Sequence, residues 1–389
     1  MLAKRTYLQT HPWITFDLRT KTFPPRTWML LGEAASKAQH IAGVPLNPQT
    51  AQQFHRVTLA KGARATTAIE GNTLTEDQVE AQIEGRLKLP PSQQYLQQEV
   101  QNIVDACNWM LEDRSQNGHR KITPEFCCDL NARVLKGLAL EDGVAGQIRR
   151  HSVVVGNVYR GAPAEDCHYL LERLCDTLEE TRAQTVADAH STAILKALFA
   201  HMYIALIHPF CDGNGRTARL LEYYILMEHG FASPTGHLLS NHYNLTRSHY
   251  YRELDRISKT GGETDSFVTY ALQGFVDGLK EQIETIRTVQ LSVAWENYVH
   301  KQFHGKSAPA DSRRRELVLQ LGSEGKQVKI VDIPGLSPKL ARDYAGKTEK
   351  TLSRDLNVLA GMGLIRRFPG RRVGAQSDKI RAFLPWRAQ

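Results

Sequence analysis

Helical periodicity runs through almost the whole of this 389-residue chain, and that limits its architecture to packed helices. The boundaries have chemical reasons. A first helix is predicted over 25–42, ending before Gly43. Asn47 can cap the next one, with Pro48 supplying the fixed φ that suits a first helical position. That helix runs to Glu70, where Gly71 is a stop. Thr75-Glu76-Asp77-Gln78 reads as a capping box opening another. Further helices are expected near 92–112, 123–138, 164–182, 187–207, 216–228, 246–258 and 264–301. In the last two-helix stretch around residue 215, Leu220, Leu221, Tyr224 and Ile225 share one face. Before residue 320 one β element stands out: residues 152–155 are mostly β-branched and meet Gly156-Asn157, a turn signal, so 149–160 is read as a short hairpin. No internal repeat is visible.

The length suggests two or three domains, and 41% hydrophobic residues suffice for a substantial core. No unbroken apolar run approaches 18 residues, so no membrane span is expected. The opening MLAKRTYLQTHPW lacks an apolar core of the signal-peptide type. Six cysteines without a C-x-x-C pair point to a reducing cytoplasm. The net charge of +8 is uneven: residues 311–389 hold 17 Lys and Arg against 8 Asp and Glu, a net of +9, and the rest of the chain carries −1. The basicity marks a separate C-terminal module that could touch nucleic acid.

Residues 208–219, HPFCDGNGRTAR, fall between the apolar helix over 187–207 and the helix that follows. Gly213 and Gly215 permit positive φ, and Asn214 tolerates it. Successive N–H groups can then converge on an anion at the start of the next helix, where the dipole also favours phosphate. Arg216 and Arg219, three residues apart, project to one side and suit the outer phosphates of a nucleotide. Asp212 offers a hard oxygen to Mg²⁺, and His208 can act as a base near neutral pH. The constellation points to phosphate-group transfer; a glycine turn with incidental charges is the plainer alternative.

The stretch matches, at every fixed position, the signature H-P-F-x-[D/E]-G-N-G-R-x-x-R of the Fic family, which the chain resembles over roughly residues 10–290. The resemblance implies an all-α fold, a helical bundle with a short β-hairpin flap. It implies transfer of AMP from ATP to a Ser, Thr or Tyr hydroxyl of a protein. On that reading His208 is the base and Phe210 anchors the loop. Asp212 holds Mg²⁺, and Gly213, Asn214 and Gly215 form the anion hole. Arg216 and Arg219 take the β- and γ-phosphates. Val153, Val155 and Gly156 of the hairpin border the ATP. Tyr250 and Tyr251 fall at the adenine pocket, or are core aromatics, and Ser258 stands where some relatives carry an asparagine.

TTAIEGN, residues 66–72, resembles the family's inhibitory motif [S/T]-x-x-x-E-[G/N] through Thr66, Glu70 and Gly71. It implies an N-terminal inhibitory helix whose Glu70 pairs with Arg219 and blocks the γ-phosphate. A carboxylate at a helix C-terminus is disfavoured by about 0.3–1 kcal/mol, so alone it would read as a solvated end.

The C-terminal stretch LSPKLARDYAGKTEKTLSRDLNVLAGMGLIRRFPGRR resembles a winged helix-turn-helix. Helices are expected over 313–321, 337–345 and 348–360, the last capped by Thr348, with Leu352, Leu356 and Leu359 buried. Wing strands follow around Pro369-Gly370. Lys350, Thr351, Ser353 and Arg354 would face DNA, with Arg366, Arg367, Arg371 and Arg372 on the wing. The domains are read as 1–90 with the inhibitory helix, 91–303 as catalytic core, a linker over 304–312, and 313–389. The resemblance implies autoinhibited, ATP- and Mg²⁺-dependent protein AMPylation, and no membrane partner is expected; self-AMPylation and a homodimer stay open. The alternative is an ATP-sensing, DNA-binding regulator without transferase activity.

Overall fold

The computed structural model describes residues 5–140, 143–155, 159–180 and 188–380. The chain divides into two compact units, 1–283 and 284–389. The first is all-α apart from one hairpin. Its helices are α1 (Tyr7–Thr10), α2 (Pro25–Ala42), α3 (Pro48–Ile69), α4 (Glu76–Ile83), α5 (Gln94–Asn117), α6 (Pro124–Val134), α7 (Ala164–Glu180), α8 (Ala189–Ile207), α9 (Asn214–Glu228), α10 (Ser233–Gly236), α11 (Leu238–Leu245) and α12 (Arg247–Lys259). Local chemistry sets the starts. The Asn47 side chain accepts from Gln49 N–H, Thr75 and Gln78 form a reciprocal capping box, and Thr123 and Asp188 cap α6 and α8. Gly71, at φ 105°, follows the end of α3.

The centre of this unit is α8, lying beside α9. Among the described residues, α8 alone has the length and composition to cross a membrane, but 89% of its apolar window is buried inside the protein, so it is the core helix of the unit. The expectation that α9 buries a single face is corrected: from Arg216 to Met227 every side chain is buried, because α3, α5, α6 and α8 all pack against it. Its buried polar residues therefore require dedicated partners. Strands β1 (Val154–Val155) and β2 (Tyr159–Arg160) pair antiparallel, Val154 opposite Arg160 and Val155 opposite Tyr159. The expected turn at Gly156-Asn157 lies outside the described residues.

Helix α13 (Asp265–Gln302) runs through the 283/284 division. The division therefore falls earlier than the linker read at 304–312. Trp295, Val299 and Phe303 belong to the C-terminal core with Leu317, Val318 and Leu321, and α14 (Pro309–Glu324) already begins at Pro309. The second unit continues with β3 (Val328–Lys329), α15 (Pro338–Tyr344), α16 (Glu349–Gly361), β4 (Ile365–Phe368) and β5 (Arg372–Ala375), its sheet ordered β3-β5-β4. Leu352, Leu356 and Leu359 are buried in its core. Ser337 caps α15, whereas Thr348, extended at the start of α16, makes no side-chain capping bond. Buried Asp355 on α16 accepts from Arg313 Nε at 2.8 Å, Arg314 Nε at 2.7 Å and Tyr344 Oη at 3.1 Å, which ties α14, α15 and α16 together.

Candidate active site

The loop between α8 and α9 is shaped by residues that bond within it. His208 ends α8 in the left-handed region, φ 53° and ψ 59°, its N–H still donating to Ile204 O at 2.9 Å. Pro209 disfavours an α conformation before it, and the left-handed one costs about 1–3 kcal/mol in a non-glycine residue. Arg149 holds the chain there: its N–H donates to Pro209 O at 2.9 Å and its Nε to His208 O at 2.7 Å. Phe210 is fully buried and bridges to Ile148. The Asn214 side chain clamps Phe210 twice, accepting from its N–H at 2.9 Å and donating to its O at 2.8 Å. Asn214 can therefore serve an anion only through its backbone. Gly213, at φ 75°, makes the turn into α9 against Asn131 and Leu135, which a Cβ would crowd at 3.0–3.1 Å.

Asn131, on α6, is the buried support that the sequence reading missed. Its Nδ2 donates to Asp212 O at 2.9 Å and Thr217 Oγ1 at 3.2 Å, and its Oδ1 accepts from Gly146 N–H at 2.9 Å. A visible signal existed: Asn131 shares the apolar spacing of Cys127, Leu130 and Val134. Arg149 was likewise taken only as the start of the hairpin. Its guanidinium also donates to His151 O at 2.7 Å and to Ala162 O, fastening the hairpin base to the end of α8.

The two arginines of α9 are buried and separately engaged. Arg219 Nη2 donates to Glu70 Oε1 at 2.6 Å and to Thr66 O at 3.0 Å. Arg216 donates to Glu99 Oε1 and to Asp212 Oδ1, both at 3.2 Å. Arg219 Nε, Arg219 Nη1 and Arg216 Nε remain buried without a partner among the described residues. Three unpaired cationic donors beside a helix N-terminus fit an anionic oxygen ligand. Glu70 lies over that N-terminus: a Cβ at Gly215 would stand 2.3 Å from Glu70 Oε1. Burial pushes the Glu70 carboxyl up, and the Arg219 guanidinium more than offsets this, leaving the group ionised below its usual range.

His208 is buried enough that its pKa falls to about 4, despite a long contact of Nδ1 with Ala205 O at 3.4 Å; the charge of Arg149 lowers it further. The ring is uncharged at neutral pH. Since a carbonyl only accepts, that contact puts the proton on Nδ1 and the lone pair on Nε2. Asp212 takes the Gly213 N–H on Oδ1 at 2.5 Å, and its side chain is 47% exposed. Among the described residues no group of three or more His, Cys, Asp or Glu is placed to hold a metal ion. A single half-exposed carboxylate beside a phosphate-binding turn does fit Mg²⁺, which binds through one or two carboxylates plus substrate phosphates.

Val153 and Val155 are both half-buried; Gly161 N–H donates to Val153 O at 3.1 Å, and the side chains of Val153 and His208 both lie against Gly161, while Gly156 lies outside the described residues. Tyr250 and Tyr251 part company. Tyr250 is buried, shares a hydrogen bond with His201 Nε2 at 2.9 Å and stacks on Tyr243, which favours the core-aromatic reading of the two. Tyr251 is 41% exposed and donates to Ile69 O at 3.2 Å, at the end of α3. Ser258 bonds locally to Asp255 O.

Residues 121–226, which contain Asn131, Arg149, the hairpin and the whole loop, match the Fic/DOC family. The protein adenylyltransferase fic-1 of Caenorhabditis briggsae is 31% identical over 223 residues, 57% of this chain and 41% of that protein. The protein adenylyltransferase Fic of Nematostella vectensis is 32% identical over 167 residues, 43% of this chain and 37% of that protein. The chain thus spans about two fifths of the length of these curated relatives. Among solved structures, Fic-1 from C. elegans is similar with a TM-score of 0.56 and 26% identity, over 68% of this chain and 73% of that one. A Fic family protein from Desulfovibrio desulfuricans G20, 21% identical, shares the fold over 91% of this chain and 97% of its own, with a TM-score of 0.54. This chain carries a Fic/DOC-family domain at residues 121–226.

Proposed function

We propose that the chain transfers AMP from ATP to a hydroxyl of a protein, and that Glu70 restrains it. The observation that carries this reading is the set of unpartnered guanidinium N–H groups of Arg216 and Arg219 at the N-terminus of α9, beside an uncharged His208. The names of the relatives, protein adenylyltransferases, support the same chemistry. The outer phosphates of ATP would lie on the N-terminal turn of α9, held by the N–H groups of Asn214 and Gly215 and by the two arginines, with the Gly213 N–H held by Asp212. Asp212 would hold a magnesium ion, which when bound would supply positive charge for the pyrophosphate leaving group. His208 Nε2 would take the proton of the incoming hydroxyl as its oxygen bonds the α-phosphorus and the bond to pyrophosphate breaks. Val153 and Val155 would border the nucleotide, and the edge of β1 would align the target segment by strand addition.

Glu70 occupies the Arg219 donor that a γ-phosphate would use. Incubation of the parent and of Glu70→Gly with labelled ATP, Mg²⁺ and cell extract tests the reading. Label should appear on a protein, or on the chain itself, and be stronger with the variant. ATP binding without label in either protein would favour a nucleotide-sensing regulator instead.

A second partner is proposed for residues 284–389 alone. Lys350, Ser353 and Arg354 are exposed along α16, with Thr351 half-buried, and Arg366, Arg367, Arg371 and Arg372 are exposed on β4, β5 and their turn. This face suits duplex DNA, the helix to a groove and the turn to phosphates. Arg313 and Arg314 do not contribute to it, being committed to Asp355. A gel-shift titration of the full chain should show binding that weakens steeply with salt; no shift at low salt would end this reading.

A further inference from the structure

Arg216 is held from two flanks, and only one of the holders is free of other duties. Asp212, on one side, is half-exposed in the loop and is the residue that would take the metal. On the other side stands Glu99, from α5, outside the Fic/DOC match and largely buried. Its Oε1 accepts from Arg216 Nη1 at 3.2 Å, and its Oε2 accepts from Asn72 Nδ2 at 2.9 Å. Asn72 is itself fixed: Nδ2 also donates to Leu96 O at 2.9 Å, and Oδ1 accepts from Leu74 N–H at 3.1 Å. It lies two residues beyond Glu70. One carboxylate thus spans the gap between the start of α9 and the segment that ends α3.

The consequence follows from guanidinium geometry. Five N–H donors lie in one plane, so holding one Nη sets the direction of the rest. With Nη1 on Glu99, Arg216 Nε stays buried and unpartnered at the turn where an anion would sit. Resting on the adenylyl-transfer reading, we propose that Glu99 is a positioning residue for the nucleotide: it orients Arg216 towards the outer phosphates of ATP and is itself oriented by Asn72. It does not touch the reacting atoms.

Glutamine is the informative replacement. Glu99→Gln keeps the shape, but the amide has one acceptor end and one donor end. Whichever way it turns, an N–H faces the N–H of Arg216 or of Asn72. The reference is the Glu70→Gly chain, full length, assayed with ATP and Mg²⁺. Adding Glu99→Gln should raise KM for ATP about tenfold while kcat stays within twofold and the melting temperature is unchanged. In a Glu70→Gly, Arg216→Ala background the same change should move KM less than twofold, because there is no guanidinium left to orient. Should the glutamine variant not fold, Glu99→Asp carries the test: its carboxylate is pulled back by one methylene, and a KM rise of threefold or more, lost again without Arg216, is expected. An unchanged KM with Arg216 present, or an equal rise without it, overturns the role of Glu99 and leaves the transferase reading standing. If Glu70→Gly itself neither transfers AMP nor binds ATP by calorimetry, the transferase reading falls, and this inference falls with it.

Discussion

Glu70 Oε1 and Arg219 Nη2 lie 2.6 Å apart, with the guanidinium wholly buried and the carboxylate resting over the N-terminal turn of α9. The pair joins Glu70, the residue that follows the end of α3, to the second arginine of the loop motif. Charge-assisted bonds of this kind are strong where solvent is excluded. Burial alone would push the Arg219 pKa down, but Glu70 more than restores it, so both partners stay charged. Removing the carboxylate therefore exposes a cation already aimed at an anion site. Glu70→Gly is expected to raise AMP transfer at least tenfold and to tighten ATP binding, measured by label incorporation and calorimetry. Equal rates in parent and variant at saturating ATP would mean that the pair is structural.

His208→Ala in the Glu70→Gly background should lower transfer by about 10²–10⁴-fold, the usual worth of a general base. ATP affinity should stay within threefold, because the phosphate donors come from α9. Loss of binding in step with loss of rate would instead make His208 part of the scaffold.

The pH profile gives an independent check. The folded-state pKa of His208 lies at about 4, below the 6.5 of a free imidazole, because the charged form is desolvated. A base works only when neutral, so kcat/KM should hold level as pH falls from 8 to about 5 and drop as it passes through 4. Stability has the opposite reference. The unfolded chain binds this proton below pH 6.5 and the folded chain does not until about 4, so His208 destabilises the fold progressively across that window. A rate that halves near pH 6.5 would show an exposed imidazole.

The sequence carried the helices that local chemistry defines. α2, the capping box of α4 and the Pro48 start of α3 fell at their expected positions, because each boundary is written in adjacent residues. Short α10 and α11 were not read, since Pro234 and Gly236 interrupt any period. The contact division at 283/284 differs from the expected one for a physical reason: residues 304–312 look like a linker, yet Trp295, Val299 and Phe303 before them serve the second core. At the site, the twelve contiguous residues were legible as chemistry. Their long-range supports were not, because Asn131, Arg149 and Glu99 reach the loop only through folding. Tyr250 shows the converse, an aromatic whose hydroxyl meets the buried His201 in the core.

Asn131→Ala tests how far catalysis depends on that hidden support. Asn131 bonds Asp212 O, Thr217 Oγ1 and Gly146 N–H from a fully buried position. Alanine leaves the part-buried Gly146 N–H and Asp212 O without this partner, at up to about 1–3 kcal/mol each. The loop should loosen and transfer by Glu70→Gly should fall about tenfold or more, with a lower melting temperature. An unaltered rate would show that Phe210 and Asn214 alone hold the loop.

Asp355→Ala addresses the second unit by the same logic. Asp355 is 1% exposed and neutralises two guanidiniums, Arg313 Nε at 2.8 Å and Arg314 Nε at 2.7 Å, while also taking the Tyr344 hydroxyl. Removing one member of a buried ion pair costs about 3–5 kcal/mol, because the partner charge remains without compensation. Here Arg313, only 11% exposed, loses its carboxylate, whereas Arg314 keeps Asp311 Oδ1 at 3.1 Å. Since α14, α15 and α16 meet at this carboxylate, the loss falls on residues 284–389. Calorimetry of the full chain should show a transition shifted down by several degrees for that unit, and salt-sensitive DNA retention should weaken with it. Replacing Asp355 by Leu together with Arg313 and Arg314 by Met should recover much of the stability, since an apolar trio of similar volume avoids the desolvation cost. Failure of the triple variant to recover any stability, with the single variant destabilised, would mean that the ion cluster sets helix geometry as well as charge balance.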